Sequence, residues 1–247
     1  MDKIMFPFIL TSLAGLSTMI GCIFLYIKPK KENHVIISGL SFAAAVMITV
    51  SFTDLLPESF SLLKMIYKPF PMVILVLISL NIGMLISFLL DKYLPNQEES
   101  LYRVGIISML AIIIHNIPEG IATYMAGSTN TNLGITLAVA IALHNIPEGI
   151  SISIPIYYAT KSRKKALLYT FISGLSELLG AIFTYLFLKS FINNQILGFL
   201  FAGIAGIMLH IALYELLPTA WKYKNKKLVY LFFLIGFLFM LINHIIF

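Results

Sequence analysis

The hexapeptide His-Asn-Ile-Pro-Glu-Gly occurs twice, at 115–120 and at 144–149. In each copy a His and a Glu stand four residues apart, which places them on one face of a helix. Two such pairs brought together, His115 with Glu119 and His144 with Glu148, make a nitrogen and oxygen donor set of the kind divalent metals take. Asn116 and Asn145 add amide oxygens, and Glu177, in Ser-Gly-Leu-Ser-Glu, adds another carboxylate. With six or seven donors and no soft thiolate, the set suits Zn(II), Fe(II), Mn(II) or Co(II) and disfavours Cu(I). Two neighbouring metals bridged by Glu119 and Glu148 are feasible.

The elements that must carry these residues are membrane spans. The chain has 247 residues, 59% of them hydrophobic and 11% charged, with mean hydropathy +0.94; an ordinary soluble domain would carry roughly 25% charged residues. Apolar runs of membrane-spanning length read at 4–27, 35–63, 71–90, 104–127, 133–158, 166–188, 196–219 and 228–247. The expected fold is therefore all-α, a single polytopic domain over 1–247 with eight transmembrane helices. The first run lacks the basic start and the cleavage site of a signal peptide and is read as a helix of the mature protein. The lone Cys22 excludes a disulfide framework and any Cys-rich metal cluster.

Both hexapeptides fall near the middle of their runs, where a charged side chain costs several kcal/mol (from ~2.5 to above ~10) unless it is paired, solvated or coordinated. Of the 11 acids, Asp54, Glu58, Glu119, Glu148, Glu177 and Glu215 fall inside spans, and no Lys or Arg is placed at mid-depth to pair with them. Protonation, water or a mobile cation must be the partner. His115, His144 and His210 join them as neutral imidazoles able to ligate metal. His34 and His244 stand at span boundaries and Met47 and Met208 read as core filler, so none of these is given a role.

Basic residues set the orientation. Lys3, Lys64, Lys68 and Lys189 lie on one side, leaving 13 of the 17 Lys and Arg in the loops after spans one, three, five and seven. The positive-inside rule then makes those loops cytoplasmic and puts both termini outside the cell. The net charge of +6 is a topology signal and not a nucleic-acid footprint. Asp54-Leu-Leu-Pro57 near the end of span two and Glu215-Leu-Leu-Pro218 near the end of span seven cross in opposite directions, as do the two hexapeptides. That is the pattern of an inverted repeat, spans 1–3 against 6–8 and span 4 against 5, with a site at the midplane. Pro118 and Pro147 remove a helical donor beside the ligands, so a kink is expected there.

At these residues the chain resembles the Zrt/Irt-like (ZIP) family of metal transporters, most closely its bacterial ZupT-like branch. The match runs from Ser-Phe-Ala-Ala-Ala-Val-Met at Ser41, through both hexapeptides, to Glu-Leu-Leu-Pro at Glu215. The resemblance implies eight helices with outward termini and uptake of Zn(II) or other first-row divalent ions into the cytoplasm. It implies a binuclear site, one metal on His115, Glu119, His144 and Glu148 and the other on Asn116, Glu119, Asn145, Glu148 and Glu177. Asp54 and Glu58 would line the outer approach and Glu215 the inner exit, with His210 a further candidate on the pathway. Two departures stand out: Leu178 replaces the proline that often follows the acid in the family, and the loop at 91–103 lacks the histidine cluster of many relatives.

Two other classes share the ligands. An intramembrane metallohydrolase would show His-Glu-x-x-His on one helix, and neither hexapeptide does; a metal sensor would need a soluble output domain, for which the spans leave no room. The expectation is thus a plasma-membrane carrier (the cell inner membrane in a bacterium) and not an enzyme. Its partners are the bilayer and the cation it moves, with no separate cofactor and no nucleic acid, and a homodimer is among the states allowed.

Overall fold

The computed structural model describes residues 4–27, 29, 31–93, 101–188 and 193–246. Lys3, Lys28, Lys30, Lys189 and most of the 91–103 loop lie outside them. Eight helices among the described residues are long and apolar enough to cross a membrane: α1 Met5–Tyr26, α2 Glu32–Leu63, α3 Pro69–Tyr93, α4 Leu101–Thr129, α5 Thr131–Thr160, α6 Arg163–Phe187, α7 Asn194–Lys222 and α8 Lys226–Ile246. Helices are what apolar runs of this length must form in lipid, where each backbone N–H and C=O needs a partner within its own segment. Several helices extend a few residues past the apolar runs, into the depth where Lys, Arg and Asn can reach water. The all-helical, polytopic expectation is met.

Helices α4 and α5, which carry the hexapeptides, form a hairpin with only Asn130 between them. The Asn130 side chain accepts from the backbone N–H of Asn132 (2.9 Å) and Leu133 (3.2 Å), which caps α5 and fixes the reversal. Both helices run through Pro118 and Pro147 as single α-helices, so no break in helix type accompanies the ligands. The departures from α geometry lie elsewhere. A π-turn at Ser51–Leu55 immediately precedes Pro57, and another at Ile211–Leu216 immediately precedes Pro218. Proline cannot donate to the carbonyl four residues back and its ring crowds that carbonyl, which widening of the preceding turn relieves. Helix α6 continues as α-helix past Leu178 and widens only at Thr184–Leu188.

The hairpin sits at the centre. Helix α6 packs on α4, α1 packs on α5 and α6, and α2 closes the far side of α5. Helix α3 pairs with α7 and α8 with α2, and these two outer helices are the least buried of the eight. Glycines set how closely the inner helices approach. A Cβ on Gly120 would overlap the backbone carbonyl of Glu177, and one on Gly180 would overlap that of Ile117. The same contact recurs across α5 and α1, where a Cβ on Gly149 would overlap the carbonyl of Thr18 and one on Gly21 would meet the carbonyl of Ile146. Backbone cannot move aside as a flexible side chain can. Gly120→Ala and Gly149→Ala are therefore expected to destabilise the bundle by about 1–3 kcal/mol, the usual cost of overpacking. Gly203→Ala, whose Cβ would meet only Ser79 O at 3.7 Å, is the neutral comparison. Thermal melting in detergent checks this, and equal midpoints for all three variants would refute it.

Candidate metal site

The close approach enforced by Gly120 and Gly149 buries seven polar side chains at the centre of the bundle. His115, Asn116, Glu119, His144, Asn145, Glu148 and Glu177 are each 5% exposed or less. The histidine of each hexapeptide pairs with the glutamate of the other: His115 Nε2 lies 2.9 Å from Glu148 Oε1, and His144 Nε2 lies 3.2 Å from Glu119 Oε1. The i, i+4 spacing puts His and Glu on one face of each helix, and the antiparallel hairpin turns the two faces together head to tail. The pairing therefore crosses between helices.

The two asparagines are held by their nitrogens. Asn145 Nδ2 donates to the carbonyl of Ala14 (3.0 Å) and to Glu177 Oε2 (3.0 Å), and Asn116 Nδ2 donates to the carbonyl of Ser173 (3.3 Å). Each amide thus spends its N–H on a neighbouring helix and keeps its oxygen. Six atoms of the cluster have no hydrogen-bond partner: His115 Nδ1, Asn116 Oδ1, Glu119 Oε2, Asn145 Oδ1, Glu148 Oε2 and Glu177 Oε1. A buried polar atom left unpaired costs about 1–3 kcal/mol, and more when charged. Among the described residues no Lys or Arg forms an ion pair with any of the three glutamates. Among the described residues the cluster has no Lys or Arg partner, and its unpaired atoms are of the nitrogen and oxygen type that divalent metals take. The side chains stand cross-paired and not gathered: no three His, Cys, Asp or Glu among the described residues converge at coordination spacing. A cation bound by these same atoms would have to displace the two His–Glu bonds.

The remaining sequence candidates are spread along the bundle. Asp54 and Glu58 line a cavity of about 650 Å³ at the end of the molecule that holds the α4–α5 turn. That cavity runs down to Ala122 and Ala140, each within about one helical turn of the hexapeptides. Glu215 is buried and lines a second cavity, of about 440 Å³, at the opposite end with Asp91, Arg103 and Lys222. There Arg103 forms an ion pair with the Asp91 carboxylate and also donates to the Asp91 carbonyl at 2.7 Å. This second cavity reaches only to Val104 along α4. His210 packs between Tyr214 (stacked, 5.0 Å between centroids) and Phe88 (edge-on, 6.3 Å), apart from the hexapeptides. Met47 and Met208 are fully buried among apolar neighbours, and Cys22 is a buried free thiol. Two features are absent from the sequence reading. The carbonyls of Ala14 and Ser173 anchor the asparagines, and backbone acceptors leave no residue signal. His244 Nδ1 sits 2.6 Å from Asp54 Oδ1, from a residue that looks like an ordinary helix end.

Eight apolar helices long enough to cross a membrane, closing on a buried cluster rich in nitrogen and oxygen donors, define a polytopic membrane protein with a polar centre. The family model described as ZIP Zinc transporter matches residues 95–244. The chain is 42% identical over 246 residues to the "Zinc transporter ZupT" of Chlorobaculum parvum, covering 92% of each. Its similarity to the proteins of the same description from Streptococcus mutans (38% over 255 residues, 97% of each) and Clostridium perfringens (37% over 278 residues, 100% of this chain and 98% of the relative) is also end to end. The chain belongs to the ZIP zinc transporter family.

If the unpaired atoms are metal donors, a borderline divalent ion stabilises the fold. Co(II) at about 100 times its Kd is expected to add about 2.7 kcal/mol. Most of the shift in melting midpoint should be lost in a Glu119→Ala, Glu148→Ala double variant. A Co(II) shift undiminished by both substitutions would place the ion elsewhere.

Proposed function

We propose that this chain imports Zn(II), and with it other first-row divalent ions such as Fe(II), Mn(II) and Co(II), into the cytoplasm across the plasma membrane. The ion passes through the buried cluster on α4, α5 and α6. The observation that carries this reading is the set of six buried donor atoms without a hydrogen-bond partner, with no Lys or Arg paired to the three glutamates among the described residues. The relatives named as zinc transporters support zinc as the cargo, and the nitrogen and oxygen donor set suits it. The family is one of transporters, so the metalloenzyme alternative has no support.

Two ions fit the donor inventory, with Glu119 and Glu148 shared between them. One is held by His115, His144 and the shared pair. The other is held by Asn116, Asn145 and Glu177 with the same pair. The amide oxygens left free by the Asn145 and Asn116 nitrogen bonds support the second position.

The described cations support a cytoplasmic end at Lys31, Lys92, Arg103, Lys161 and Lys222, opposite Lys64 and Lys68. In this orientation the large cavity under Asp54 opens outward and approaches the cluster, while the inner cavity stops 11 residues short of His115, at Val104, or ~16 Å along the helix. The carrier is poised to load from outside. Paired contacts support an inverted repeat as the basis for exchange between the two sides. Gly120 on Glu177 corresponds to Gly149 on Thr18, the Asn116–Ser173 bond to the Asn145–Ala14 bond, and the π-turn before Pro57 to that before Pro218.

Uptake into reconstituted vesicles tests the assignment. His115→Ala and Glu119→Ala are expected to abolish zinc uptake while the protein remains inserted and monodisperse. Glu177→Gln is expected to lower bound metal from about two ions to about one, by removing the one carboxylate that the second position does not share with the first, and to leave part of the flux. Normal uptake by the first two variants would sink the assignment. A single bound ion in the parent protein would remove the second position.

A further inference from the structure

The mouth of the large cavity holds a group of metal-type donors that the buried cluster does not use. His244, near the end of α8, places Nδ1 2.6 Å from Asp54 Oδ1 on α2. No described residue bonds its Nε2. Glu58 lines the same cavity one turn beyond Asp54, and Asn243 lines it beside His244. Asn243 is 5% exposed; its Nδ2 donates to Met240 Sδ at 3.6 Å, and its Oδ1 has no partner among the described residues. The described lining contains no Lys or Arg. A carboxylate bonded to one ring nitrogen of a histidine is the arrangement that orients the other nitrogen toward a metal and raises its basicity.

We infer that His244, oriented by Asp54 and joined by Glu58 and Asn243 Oδ1, forms a capture site for a divalent cation at the mouth of the cavity, loaded before the buried cluster. Oxygen donors alone would take Mg(II) or Ca(II) as readily as Zn(II); the imidazole biases the mouth toward borderline ions. The site spans α2 and α8, so an ion bound there ties a peripheral helix to one that lines the core. It rests on the orientation given above for its place in uptake, but not for its ability to bind.

Binding is therefore read separately from transport. In a Glu119→Ala, Glu148→Ala background, which disables the buried cluster, equilibrium dialysis with Zn(II) should still find about one weakly held ion. Adding His244→Gln or His244→Ala should remove it, and Asp54→Asn should weaken it about 10-fold, the usual effect of losing a ligand's orienting partner. Magnesium in excess should displace little of it. His244→Gln matters because glutamine keeps a hydrogen-bond donor for Asp54 but is a poor zinc ligand: were the pair only a latch between α2 and α8, His244→Gln would bind zinc as its background does. That result, or the same number of bound ions with and without His244, overturns the proposal. Should the double background not fold, the same substitutions in the intact chain give the answer through uptake at limiting zinc. The capture site calls for a zinc KM raised several-fold in both His244 variants, and an unchanged KM overturns it. A buried-cluster assignment that fails shows itself differently, as a parent protein that binds no more zinc than the double background.

Discussion

The whole arrangement turns on carboxylates held in a low-dielectric interior with no Lys or Arg paired to them among the described residues. Glu119, Glu148 and Glu177 are almost wholly buried, and each keeps one oxygen unpaired. A lysine there would pair with the acids, but its tethered ammonium would fill the place that the proposed cargo needs. The cross-paired His–Glu bonds take its part, satisfying one oxygen of Glu119 and one of Glu148. On the proposed function, a cation would have to compete with each of these bonds, worth about 1.5–3 kcal/mol net when a charged group takes part.

Close helix approach makes that compromise possible. Gly120 lets α6 lie against α4 at the level of Glu177, and Gly149 lets α1 lie against α5 at Thr18. The two crossings are alike in geometry and unlike in chemistry. A carboxylate stands on the α6 side and a hydroxyl on the α1 side, so a pseudo-symmetric frame acquires a one-sided site. The asparagines follow the same logic: both are anchored through Nδ2 on a neighbouring helix, yet only Asn145 also reaches an acid. That asymmetry is what would distinguish the two proposed ion positions.

The spans and the duplicated hexapeptide were legible because both are written in local sequence. Apolar runs have only one stable form in lipid, and His at i with Glu at i+4 has one face. The cross-pairing was not legible, since it depends on the register of the hairpin, which a single asparagine cap at Asn130 sets. Proline was misleading in detail. Pro118 and Pro147 are accommodated within unbroken α-helices, while Pro57 and Pro218 coincide with widened turns. Burial does not separate the two cases, since α2 and α7 are packed at least as deeply as the hairpin helices. His244 was passed over for the opposite reason, because its partner Asp54 lies 190 residues away and no spacing rule connects them.

The two ends of the bundle differ in a way that bears on direction. At the end proposed as external, Asp54, Glu58 and His244 share a cavity whose described lining has no Lys or Arg, so a cation arriving there would meet acids that no Lys or Arg of that lining neutralises. At the other end Asp91 and Glu215 share their cavity with Arg103 and Lys222, and Arg103 is already bound to Asp91. A cation released there finds its acids partly neutralised by cations of the chain and is held less firmly. Gradients decide the net direction of any passive carrier, because a midplane site is indifferent to which side loads it. The rates are another matter: in the proposed orientation, stronger electrostatic capture on one side and weaker retention on the other would lower the two barriers that an inward-moving ion must cross.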